Sequence, residues 1–283
     1  MDDSSAFFNG ITKPAPDSGF ELLHSSENGP CGIWRADREG KFRVFKALKP
    51  QMRGLQVYES MLRKEFEIAY TLSHPNICEV YAFHSLPELG NCIEMEWVDG
   101  EPMDKAAVKD PDKVAAELCS AVAYLHSRQI VHRDIKPSNI LITHNGESVK
   151  LIDFGLSDSD AHSRLKDPAG SRYYAAPEVL HGAKGDASSD IYSLGVVLSE
   201  LSDARRFQKV ARKCMAADPQ KRYSSAEQVR RSLAGRISGW FWLLAAICII
   251  AAGALLLYYS ESSRSVDDIF LEATEMVREV SGN

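Results

Sequence analysis

The chain has 283 residues, 45% of them hydrophobic, with 33 Lys and Arg against 39 Asp and Glu for a formal net charge of -6 at pH 7. That length suits one or two globular domains, and the acidic balance leaves no basic footprint for nucleic acid. The six cysteines (Cys31, Cys78, Cys92, Cys119, Cys214 and Cys248) are scattered with no CxxC pair, which reads as reduced core thiols rather than disulfides or a metal cluster.

Residues 1–19 are polar and acidic with two prolines, which predicts a flexible leader without a secretory signal pattern. "FELLHSS" and "KFRVFKAL" alternate as strands around a Gly-containing turn. "QMRGLQVYESMLRKEFEIAYTLSH" reads as a helix ending near His74-Pro75. "NICEVYAFHS" and "GNCIEMEWV" are further strands. After "DGEP" the pattern turns helical: "DPDKVAAELCSAVAYLHSRQ", with Asp110 near its start and Pro111 in its first turn, then "SSDIYSLGVVLSEL", "RFQKVARKCMAAD" and "SSAEQVRRSL". The expected order is a β-rich part over 20–98 and an α-rich part over 99–236. The cleft where they meet, around Val98 to Gly100, is the default ligand site.

Residues 237–260, "ISGWFWLLAAICIIAAGALLLYYS", carry no charge. As a helix they reach about 36 Å, enough for a hydrocarbon core of about 30 Å. Trp240 and Trp242 near one end and Tyr258 and Tyr259 near the other fit an interfacial belt. Arg230, Arg231 and Arg236 precede the segment and an acidic stretch follows it. The expectation is a single-pass transmembrane helix with the larger N-terminal part in the cytoplasm. In the tail over 261–283, Val266, Ile269, Phe270, Ala273, Val277 and Val280 recur at helical spacing. Such an extracytoplasmic amphipathic helix suits a partner, a homodimer or the outer membrane surface.

The stretch "VHRDIKPSNILI", Val131 to Ile142, places Arg133, Asp134, Lys136 and Asn139 between apolar flanks. Burying so many polar groups unpaired is costly. An apolar strand then ends at Asp153 in "LIDFGL". Asn139 and Asp153 together suit a hard cation such as Mg²⁺. Asp134 can orient a hydroxyl and take its proton, and Lys136 can neutralise phosphate charge, as phosphoryl transfer requires.

On these residues the sequence resembles the eukaryotic-type protein kinase family. "HRDIKPSN" is similar to the catalytic loop, "DFG" to the metal-binding motif and "AAPE" to the end of the activation segment. "SSDIYSLG" resembles the helix whose Asp190 would brace the catalytic loop, and "DPQKRY" supplies Arg222 as a partner for Glu178. The resemblance spans about residues 20–234. It implies an α+β bilobal fold, a small β-rich N-lobe over an α-rich C-lobe, and a Ser/Thr protein kinase using ATP and Mg²⁺. Lys136 points to Ser/Thr rather than Tyr in its protein substrates.

In "KFRVFKAL", Phe42, Val44, Lys46 and Leu48 share one strand face. A lysine on that apolar face wants an anion, whereas Lys41 and Lys49 read as surface lysines. By resemblance Lys46 is the ATP-phosphate lysine and Glu65 its helix partner, with Glu67 the runner-up. Met95 would line the back of the adenine pocket, and the backbone of Glu96 and Val98 would meet the adenine edge.

Two features depart from the family pattern. Its phosphate-covering loop reads GxGxxGxV, and here Ser26, Asn28 and Cys31 stand where the glycines belong. Ser26 and Asn28 are small enough for backbone amides to approach phosphate. The segment after "LGVVLSEL" is also short, so the C-lobe is trimmed. Arg133 reads either as a phosphate clamp for the activation segment, which offers Ser157, Ser159, Ser163 and Ser171, or as a structural arginine. Ser171 and His132 read as structural. The rival to an active membrane-anchored kinase is a pseudokinase, a membrane-tethered binding scaffold.

Overall fold

The computed structural model describes residues 19–25, 29–154, 172–234, 246–256 and, in the C-terminal stretch, 258–259, 270, 272–274 and 276. Residues 1–18 of the leader and the four activation-segment serines lie outside the described residues. The chain divides into two compact units, Met1–Ala234 and Gly235–Asn283.

The first unit begins with a five-stranded antiparallel sheet. Its strands are β1 (Phe20–His24), β2 (Cys31–Arg38), β3 (Lys41–Leu48), β4 (Val80–Leu86) and β5 (Gly90–Glu96), in spatial order β1-β2-β3-β5-β4. Helix α1 (Gln56–Ala69) packs on this sheet through Leu62, Glu65 and Ala69, one face of its 3.6-residue period. It starts later than the apolar pattern suggests because Gly54 sits at φ 76, a left-handed conformation that cannot continue from the turn at Pro50–Met52 into a helix. Lys49 is a correction to the sequence reading: it is only 8% exposed, with its amide donating to Pro30 O at 2.8 Å. Strand β3 ends against the phosphate-loop segment there, a long-range contact that strand alternation cannot report.

The α-rich part carries a three-stranded sheet of β6 (Gly100–Pro102), β7 (Ile140–Thr143) and β8 (Val149–Leu151). Around it stand α2 (Pro111–Ser127), the single turn α3 (Pro177–Leu180), α4 (Ala187–Leu201), α5 (Arg205–Cys214) and α6 (Ala226–Leu233). The helix starts follow from capping. The Asp110 carboxylate accepts from Lys113 N at 3.0 Å, that of Asp186 from Ser189 N at 3.0 Å, and Ser225 Oγ from Gln228 N at 3.3 Å. Leu118, Val122 and Leu125 of α2 join Leu194 and Val197 of α4 and Phe207 of α5 in one fully buried core. Segment 202–204 alone joins α4 to α5.

The β-rich and α-rich parts are tied beside the cleft. Leu151 N donates to Asn76 O at 2.9 Å, Cys78 N to Leu151 O at 3.0 Å, and Asn76 Nδ2 to Val149 O at 3.2 Å. Every cysteine of this unit is a free thiol, buried except for half-buried Cys31.

In the second unit, residues 246–256 are helical and all exposed, including Ile249 and Leu256. Among the described residues no helix is long and apolar enough to cross a membrane. Residues 237–245 of the expected span, and most of the amphipathic tail, lie outside the described residues.

Candidate active site

The register of three strands sets the charged centre. Ile33 pairs with Lys46 and Lys46 with Ile93, so the lysine emerges between apolar neighbours on the sheet face that looks toward α1. Its Nζ donates to Glu65 Oε1 at 2.5 Å and to Asp153 Oδ1 at 2.9 Å. Burial alone would depress the ammonium, but Asp153 and Glu65 beside it hold its pKa above the ordinary lysine range. Glu65 is 8% exposed, whereas Glu67 points to solvent. A carboxylate from α1 and one from the end of β8 thus converge on one cation.

Below it the loop after α2 is held from inside. Asp190, fully buried in the first turn of α4, accepts from His132 N and Arg133 N at 2.8 Å each and lies 2.9 Å from His126 Nε2. This bracing offsets the strain of Arg133, which sits at φ 65. His132 is fully buried: Asp134 N donates to its Nδ1 at 3.3 Å, and its Nε2 lies 3.2 Å from Ile152 O. Those bonds select the tautomer with the proton on Nε2 and leave the ring no route to a substrate. Arg133 Nε donates to Gly185 O at 3.1 Å.

Asp134 is 5% exposed, with Lys136 Nζ 3.0 Å from its Oδ2. Asn139 Nδ2 donates to Asp134 O at 2.9 Å and to Oδ2 at 3.0 Å. Ile152 N donates to Asn139 O at 3.0 Å, which ties the loop to the strand end that presents Asp153. Asp153 itself sits at φ 66, a second strained residue at the same place.

These groups line one cavity of about 540 Å³, within the range of small-molecule sites. Lys46, Glu65, Asp134, Lys136, Asn139 and Asp153 stand at its charged end, and Val44, Met95, Glu96 and Val98 at the other. Val98 is 8% exposed, and Val44 pairs with Met95 across β3 and β5. Glu96 N donates to Glu79 O at 2.9 Å. Ser26 and Asn28 lie outside the described residues; His24 before them and Gly29 and Cys31 after them line the cavity.

The sequence reading missed two anchors. Lys150 of β8 donates to Glu96 Oε2 at 2.8 Å, and His126 supports Asp190. The signal for His126 was its place on the buried side of α2; Lys150 carried none, since its partner lies across the cleft.

The charge set also fits an ion bridged by phosphate. Among the described residues no group of three or more His, Cys, Asp or Glu could hold a metal. Mg²⁺ needs only one or two carboxylates when phosphates supply the rest. Because Asn139 Nδ2 is engaged with Asp134, its Oδ1 is the atom left to face a cation beside Asp153.

A two-lobed fold with a lysine shared by two acids over a braced acid-lysine-amide loop defines a phosphotransferase of the protein kinase type. The family model described as "Protein kinase domain" matches residues 28–209, and the chain belongs to that family. It is 38% identical over 209 residues to calcium-dependent protein kinase 4 of Plasmodium falciparum, covering 70% of this chain and 38% of that one. It is 37% identical over 153 residues to the serine/threonine-protein kinase PrkC of Bacillus subtilis, covering 50% of this chain and 23% of PrkC. The chain therefore spans well under half the length of these relatives. The crystal structure of the Mycobacterium tuberculosis PknI kinase domain matches with a TM-score of 0.57 at 23% identity, covering 77% of this chain and 96% of that one.

Proposed function

We propose that the chain is a membrane-anchored Ser/Thr protein kinase that transfers the γ-phosphoryl group of ATP to protein hydroxyls. The observation that carries this is Lys46 joined at once to Glu65 and Asp153, above an Asp134 held by Lys136 and Asn139. The name of PrkC as a serine/threonine-protein kinase supports the substrate class. Asp134 orients the attacking hydroxyl and accepts its proton. Lys46 meets the phosphates, Glu65 keeps Lys46 in place, and Lys136 offsets charge on the transferred group. Asn139 and Asp153 would hold Mg²⁺, which supplies charge neutralisation of the triphosphate. The backbone at Glu96 and Val98 receives the adenine edge, with Met95 behind it and Ser26 and Asn28 over the phosphates. A membrane-tethered scaffold would not require these charges to be assembled.

Incubating the full-length protein with labelled ATP, Mg²⁺ and a generic protein substrate tests the reading. Phosphoserine and phosphothreonine are the expected products. Asp153→Ala should abolish transfer, and Lys46→Met should lower it about 10²–10³-fold, the scale of one preorganised charge contact. No transfer by the folded wild type with either Mg²⁺ or Mn²⁺ overturns it.

The anchor in this proposal is the segment 237–260, with the catalytic unit on the cytoplasmic side. Its support is the charge-free run, the arginines before it and the exposed apolar helix at 246–256.

A further inference from the structure

The sheet register places a further charged pair on the face that carries Lys46. Glu21 pairs with Arg35, Arg35 with Val44, and Val44 with Met95, a single row across four strands. This row lies toward the end of the cavity that the segment after β5 closes. There the Arg35 guanidinium stands 4.4 Å from the centroid of the Phe42 ring and 5.0 Å from that of Trp97. The two rings are themselves 6.0 Å apart. The Arg35 Nε and Nη2 both donate to Glu21 Oε2, at 3.1 and 2.5 Å. A guanidinium beside two rings and against a carboxylate is held by stacking and by charge-assisted hydrogen bonds together.

We propose that Arg35 is a positioning residue for the adenine end of the cavity, acting by tying Trp97 to the sheet. Trp97 lies between Glu96 and Val98, and with Glu21 it lines the cavity. The other ties act on Glu96: its amide bonds Glu79 O and its carboxylate meets Lys150. Arg35 supplies the tie on the Trp97 side, through a side chain alone. Loss of the cation frees the indole to turn away, and the Glu96–Val98 backbone loses the support that fixes its position for a planar base. The phosphate end, set by Lys46 and its acids, is not addressed by this row. This inference rests on the adenine-nucleotide reading above.

The test uses the full-length chain and three ligands: ATP with Mg²⁺, adenosine and inorganic tripolyphosphate. Arg35→Met keeps the aliphatic stem and removes the cation. It should weaken ATP and adenosine alike by about five- to tenfold, the scale of a cation–π contact at a partly covered site. Tripolyphosphate binding should not change, and Arg35→Lys should restore part of the loss. Arg63→Met serves as control. It removes a stack 3.8 Å over Phe83 in the same lobe, away from the cavity lining, and should leave all three affinities alone. Should Arg35→Met fail to fold, Phe42→Leu removes one stacking face and should cost adenosine affinity in the same sense. Unchanged adenosine binding in a folded variant overturns the proposal, as does an equal loss for tripolyphosphate. Absence of phosphoryl transfer by the wild type would sink the kinase reading and leave these binding measurements standing.

Discussion

Glu178 and Arg222 do not line the cavity, yet they make part of the molecule's stability depend on pH. Arg222 is 5% exposed; its Nη1 and Nη2 donate to Glu178 Oε1 and Oε2 at 2.6 and 2.8 Å, and its Nε to Ala216 O at 2.9 Å. The hydrogen bonds from Arg222 pull the Glu178 carboxyl below its ordinary value of 4.5. A folded pKa below the unfolded one means that the pair's contribution is complete above about 4.5 and is lost as pH falls through the folded value. Glu178→Gln should therefore be less stable than wild type at pH 7, and the gap should close below pH 4.5. Urea midpoints measured from pH 7 to pH 3 check this; parallel curves would show that the pair carries no linkage. The pair was legible in the sequence because each member sits in a motif. The Arg35 stack was not, since it needs the register of β1, β2 and β3 together with the placement of Trp97 after β5.

At the scale of elements, the trimmed connection between α4 and α5 has two structural consequences. The last carbonyls of α4 need partners, and Gln208 Nε2 donates to Ser199 O at 2.8 Å and Ser202 O at 3.0 Å. The helices also approach closely at Gly195, where an added Cβ would stand 2.4 Å from the Cys214 Cβ and 3.1 Å from Ala211 O. Neither obstacle is the flexible end of a side chain, so the helices must part. Gly195→Ala should destabilise the catalytic unit by about 1–3 kcal/mol, the usual range for overpacking. At about 2–4 °C per kcal/mol for a domain of this size, a melting curve resolves it. Gly253→Ala, with nothing within 4 Å of the added Cβ, should leave the melting temperature of that unit unchanged. The helices and strands themselves were readable from period and caps. Their ends were less so: α1 begins after Gly54 and ends at Ala69, because a left-handed glycine and the turn before Pro75 outweigh an apolar pattern that runs through both.

For the whole molecule the question is what keeps the exposed apolar helix over 246–256 out of water. A helix apolar on every side belongs in a large core or in lipid. Its five large exposed side chains, from Ile247 to Leu256, together with Tyr258 and Tyr259 beyond it, are more apolar surface than a soluble protein usually leaves in one place. The sequence extends the charge-free run back to Ile237, long enough at about 1.5 Å per residue to cross a bilayer. If lipid takes this surface, the chain should stay in the membrane fraction through an alkaline carbonate wash. Protease added to inside-out vesicles should digest the catalytic unit, because the arginines before the segment favour the cytoplasmic side. Ile249 lies near the midpoint of 237–260, where an arginine costs about 2.5–3.5 kcal/mol on insertion scales. Ile249→Arg should therefore shift much of the protein into the wash. Tyr259→Arg, near the end of the segment, should shift far less, since a long cationic side chain there can reach the interface. Equal retention of both variants would mean that protein partners rather than lipid cover the helix.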